Sequence, residues 1–94
     1  MVFLDLEDAV APKEKEASRA KIAAAIRGND WGDKVLCVRV NDWSTKWTAY
    51  DIMEVVGGAG ARLDEIMLPK VESAAQIVAT DLLLRQVEIA NGLP

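Results

Sequence analysis

Three times along this chain an apolar run stops at charged residues and a helical pattern follows. The first run covers residues 2–6, with Val2, Leu4 and Leu6 at the two-residue period of a pleated backbone, and ends in Glu7 and Asp8. The second, residues 35–41, carries Arg39 and Asn41 at its end, and the third, residues 66–68, gives way to Lys70 and Glu72. Strand and helix alternating three times predicts parallel strands joined by right-handed crossovers, an α/β fold. Parallel strands bring their carboxyl ends to one edge. The three charged ends are therefore expected to form a single mixed-charge site.

The first of these ends is the densest. Asp5 and Glu7 fall on the strand face opposite Leu4 and Leu6, and Asp8 follows where the strand stops. Clustered carboxylates repel one another and lose hydration if buried, so they seldom serve stability alone. The bland alternative is that Asp5 and Asp8 cap the next helix, but a cap needs one acceptor oxygen and this stretch supplies three carboxylates. In the second strand Arg39 is flanked by Val38 and Val40. It is either a surface arginine or a planar fork aimed at an anionic group, and a buried strand favours the fork.

Helices are expected over residues 13–27, 49–56 and 73–91. The first places Ala17, Ala20, Ala24, Ile22 and Ile26 on its apolar side and Lys13, Lys15, Arg19 and Lys21 on its wet side, with Gly28 after its last residue. Thr48 reads as the cap of the second helix, and the glycine-rich segment 57–61 as its exit. That segment lacks the spacing of a phosphate loop and follows a helix instead of a strand. Ser73 with Gln76 has capping-box spacing, and Gly92 closes the third helix. The second strand is apolar on both faces, which suits a sheet covered by helices on both sides.

Ninety-four residues allow one small domain with a thin core. A net charge of −4 without a clustered basic patch argues against nucleic acid and anionic membranes as partners. The apolar runs are too short to span a bilayer, and no charged-then-apolar leader opens the chain, so a cytoplasmic location is the expectation. Cys37 is the single cysteine and there is no histidine. A disulfide framework is excluded, and zinc or cysteine–histidine chemistry has no partners to work with. Cys37 reads as a small core residue.

Residues 4–10 (Leu-Asp-Leu-Glu-Asp-Ala-Val), 38–41 (Val-Arg-Val-Asn) and 67–74 (Met-Leu-Pro-Lys-Val-Glu-Ser-Ala), in this order, resemble the citrate lyase β-subunit-like (HpcH/HpaI) aldolase/lyase family. Residues 62–71, with Asp81-Leu82-Leu83 and Gln86-Val87-Glu88, look closest to its malyl-CoA and β-methylmalyl-CoA lyase branch. The resemblance implies a segment of a (β/α)8 TIM barrel, about three β–α units matching strands two to four. It implies Mg2+-assisted Claisen cleavage of a 3-hydroxyacyl-CoA such as malyl-CoA to acetyl-CoA and glyoxylate, in an enzyme that is a homo-oligomer at full length. By resemblance Arg39 holds the small oxo-acid, Glu7 and Asp8 are catalytic and order water around the metal as its outer shell, and Asn41 and Lys70 contact substrate. A cation and a guanidinium suit an enolate oxygen and a carboxylate respectively.

The residues that ligate the metal directly in that family have no match and would follow Pro94, and the barrel's first strand and helix would precede Met1. The isolated segment is accordingly expected to show little lyase activity. Competing expectations are hydrolysis of malyl-CoA on the same scaffold, citryl-CoA lysis, and a non-catalytic α/β interaction module.

Overall fold

A computed structural model describes residues 1–7 and 10–93. Three strands, β1 (Val2–Asp5), β2 (Leu36–Arg39) and β3 (Glu65–Met67), alternate with three helices, α1 (Lys15–Gly28), α2 (Thr48–Ala59) and α3 (Ala74–Ala90). Single 3-10 turns at Pro12–Glu14 and Gly60–Arg62 lead into α1 and out of α2. The strands are all parallel and stand side by side in chain order, with Phe3, Cys37 and Glu65 in one register layer and Asp5, Arg39 and Met67 in the layer two positions on, facing the same side.

Strand order without reversal has a consequence for the helices. Crossovers of one hand between successive neighbours place each helix on the same side of the sheet. The core accordingly joins Leu6, Leu36, Val38 and Val40 to Ile26, Ile52, Val55 and Val87 from the helices. The opposite face is bare: Phe3 and Met67 are exposed. This corrects the expectation of helices on both faces. The apolar character of β2 has two sources, the helix layer behind Leu36 and Val38 and the tight central position of Cys37 between its neighbours. Three parallel strands with helices on one side are consistent with a piece of a barrel wall.

Several local expectations also shift. Lys15 and Arg19, assigned to the wet side of α1, are buried against α2 and the strand ends. Helix α2 exits within its glycine-rich segment, as expected, but three residues later than Val56. It runs through Gly57 and Gly58 to Ala59, and Gly60 at φ 69° ends it. Gly58 is there because α1 crosses closely: a Cβ at Gly58 would lie 2.9 Å from Cβ of Ala23. Helix α1 ends at Gly28 itself, one position later than expected. Thr48 opens α2 instead of capping it, with its hydroxyl donating to the Asp42 carbonyl. Ser73 makes no side-chain cap; Gln76 Oε1 instead accepts from the Glu72 amide at 2.9 Å. No helix among the described residues is long and apolar enough to cross a membrane.

Candidate active site

Asp5 and Arg39 are partners in the parallel register, pointing off the bare face. Their side chains meet as a fork: Arg39 Nε donates to Asp5 Oδ1 at 2.8 Å and Nη2 to Oδ2 at 2.7 Å. Paired charge-assisted bonds of this kind fix the guanidinium plane as well as its position. One residue on, the chain bends. The Glu7 amide donates to Asp5 Oδ1 at 2.9 Å, a short-range turn that carries the Glu7 side chain back over the strand ends. Glu7 Oε1 then lies 3.4 Å from Arg39 Nε.

The third strand end completes the group. Lys70 sits just past β3 with φ 51°, the one non-glycine residue with positive φ among those described. A lysine in this left-handed region costs about 1–2 kcal/mol, which the surrounding contacts must offset. The turn delivers Lys70 Nζ to 3.0 Å from Glu7 Oε2 and 3.9 Å from Asp42 Oδ2. The 3.0 Å approach is an ion pair without hydrogen-bond alignment, since Glu7 Oε2 is buried and accepts no hydrogen bond among the described residues. Lys70 is itself 63% exposed, so its contacts to Glu7 and Asp42 contribute little stability. Their effect is placement. Asp42 is held below the usual carboxylate range by the hydroxyl and amide of Ser44, and then by the nearby Lys70 ammonium.

Behind this cluster lies a buried polar layer that periodicity did not reveal. Asp51 is fully buried on α2 and accepts from Arg19 Nε at 2.7 Å, from the Asn41 amide at 3.0 Å and from Asn41 Nδ2 at 2.6 Å. Asn41 Oδ1 in turn accepts from Lys15 Nζ at 2.7 Å. The ammonium also donates to the carbonyls of Leu6 and Glu7, both at 2.9 Å, and lies 5.0 Å from the Trp47 ring centroid. Spacing counts Lys15 and Arg19 as solvated charges. What signal there was lay in Asp51, an acid next to Ile52 and at helical spacing from Val55.

The structure thus brings together Glu7, Arg39 and Lys70 at one end of the sheet, with Asn41 directly beneath them. Asn41 is 1% exposed and its side chain is engaged by Lys15 and Asp51. Asp8 lies outside the described residues. A cavity of about 220 Å3 lined by Val56, Leu63, Ile66 and Leu84 is separate from this cluster, on the side of the sheet that α2 and α3 cover. Among the described residues no group of three or more acidic, cysteine or histidine side chains could hold a metal ion. The Glu7 carboxylate is matched by Arg39 and Lys70 instead. These residues do not by themselves fit a metal's direct coordination shell.

Three parallel strands whose carboxyl ends carry a carboxylate, a guanidinium and an ammonium define the class: an α/β sheet with a candidate site at the strand ends, where such folds bind their ligands. The chain belongs to the HpcH/HpaI aldolase/citrate lyase family, which it matches over residues 1–93. It is 47% identical over 92 residues to an L-malyl-CoA/beta-methylmalyl-CoA lyase of Cereibacter sphaeroides, covering 98% of this chain and 29% of that protein. A malyl-CoA/beta-methylmalyl-CoA/citramalyl-CoA lyase of Chloroflexus aurantiacus is 40% identical over 89 residues, 95% of this chain and 26% of its own length. A citrate lyase subunit beta of Leuconostoc mesenteroides subsp. cremoris is 37% identical over 93 residues, 99% of this chain and 30% of its own. The chain spans under a third of the length of each of these relatives.

Proposed function

We propose that this chain supplies part of the active site of a carbon–carbon lyase acting on CoA thioesters, cleaving malyl-CoA or β-methylmalyl-CoA to glyoxylate and acetyl-CoA or propionyl-CoA. The observation that carries it is the meeting of Glu7, Arg39 and Lys70 over the ends of three parallel strands. The names of the relatives support the substrate class.

In this reaction the bond between the hydroxyl-bearing carbon and the carbon next to the thioester breaks. Its electron pair passes into the thioester enolate, the hydroxyl loses its proton, the carbon that bore it becomes the aldehyde of glyoxylate, and the enolate carbon takes up a proton to give acetyl-CoA or propionyl-CoA. Arg39 suits the carboxylate of that fragment, because Asp5 has already fixed the plane of its guanidinium. Glu7 presents a buried carboxylate between two cations, placed to hold water or a substrate hydroxyl. Lys70 adds positive charge at the rim, where the acidic substrate arrives. Asn41 acts from beneath, by holding the end of β2. Mg2+ belongs to the proposal as a group held by residues other than those described, and no step is assigned to it.

The test is a chimera in which this chain replaces the 92 matched residues of the Cereibacter sphaeroides enzyme. Glyoxylate and acetyl-CoA released together from malyl-CoA support lysis. Free malate with CoA means thioester hydrolysis, and no turnover by a folded chimera means that the chain lacks the lyase function.

A further inference from the structure

We propose that Lys15 is a positioning residue for this site: it clamps the turn after β1 so that Glu7 stands between Arg39 and Lys70. The inference rests on the lyase reading for its catalytic consequence, but not for the clamp itself. Lys15 is 5% exposed, and its ammonium has three protons and three acceptors: the carbonyls of Leu6 and Glu7 and Oδ1 of Asn41. Among the described residues it makes no ion pair, so its charge is not matched by a carboxylate. Burying an unpaired ammonium is costly, and an apolar side chain would fill the same space at lower cost. What an apolar side chain cannot do is tie two consecutive carbonyls of the β1 turn to the end of β2. The same turn carries Glu7, whose carboxylate faces the two site cations. Lys15 touches none of the reacting groups and acts through Glu7.

Amide hydrogen exchange on the chain itself tests the clamp. Lys15→Met should raise exchange at the hydrogen-bonded amides of Leu6, Glu7 and Val10 by roughly 10-fold or more relative to the helix α3 amides, whereas Lys21→Met, on the exposed side of α1, should not. Lys15→Arg keeps the charge but replaces a tetrahedral ammonium with a planar fork, and should loosen the same amides. It decides the matter if Lys15→Met fails to fold. Unchanged exchange in the turn overturns the clamp.

The same substitutions in the lyase chimera test the consequence. Lys15→Met should lower kcat by about 10–100-fold with KM nearly unchanged. The double substitution with Glu7→Gln should lose no more than the worse single one, because both act at one point. Additive losses would mean that Lys15 merely supports the fold, and would overturn the positioning role. If the unsubstituted chimera does not turn over malyl-CoA, the lyase reading fails, and the exchange result still decides the clamp.

Discussion

At the scale of single residues, charge placement separates two jobs that composition cannot distinguish. Arg39 is the less exposed of the two cations at the candidate site, and replacing it with Lys keeps the charge while removing the fork that Asp5 orients. In the lyase chimera Arg39→Lys should lower kcat/KM for malyl-CoA by roughly 100-fold, read by glyoxylate release. Unchanged turnover would favour a non-catalytic module. Asp51 does the second job. Its removal leaves Arg19 and Asn41 buried without their acceptor, so Asp51→Ala should cost about 3–5 kcal/mol, measured as a lower urea midpoint at unchanged slope. Asp64 couples stability to pH. The Leu36 amide, and then Arg62, hold its carboxyl below the usual range. A folded-state value depressed below the unfolded one gives stability that is present above about pH 4 and is lost as pH falls toward the folded value. Tm should therefore decline on acidification below about pH 4, and Asp64→Asn should flatten that decline.

At the scale of elements, close approach decides more than propensity does. Gly58 lies inside α2, where alanine is the better helix former by about 1 kcal/mol. Yet the added methyl would meet Cβ of Ala23 at 2.9 Å, and the neighbouring Gly58 carbonyl accepts from Arg27 Nη1 at 2.6 Å. Gly58→Ala should therefore destabilise by about 1–3 kcal/mol through separation of α1 and α2. A rise in the thermal midpoint would show that the helices have room to yield. The element pattern itself was legible in the sequence, because apolar period and strand-end charges are local. The close crossing at Gly58, the inward turn of Lys15 and Arg19, and the left-handed turn at Lys70 were not. Each depends on what another element presents from tens of residues away, and a periodicity count treats a lysine as solvated wherever it falls.

At the scale of the whole molecule, one sheet face and one helix remain open. Phe3 and Met67 lie bare on the side away from the helices, and Ile77, Val78, Leu82 and Ile89 are more than half exposed on α3. Exposed apolar surface of this kind, beside the edge strands β1 and β3, promotes association. The chain should bind a hydrophobic dye when folded and show concentration-dependent sedimentation; a dye-negative monomer at high concentration would mean that these side chains repack. Cys37 belongs to the same sheet. Its thiol is pushed up by burial and then by the Glu65 charge, so it should resist neutral-pH alkylation until the sheet opens. The mixed-charge edge was readable from the three strand ends. What covers the open surfaces was not, because patterning says that a face is apolar without saying what lies against it.

The reach of Lys15 back to Leu6 and Glu7 also limits how this chain can vary in length. Connections between elements ordinarily accept inserted or deleted residues with little penalty. Here Lys15 lies eight positions after Glu7, and the hydrogen bond between them closes a ring through a side chain. An added residue would either lift the ammonium from its carbonyls or drag the acidic turn away from β2. Length changes in this protein should be tolerated between α1 and β2 and rejected between β1 and α1.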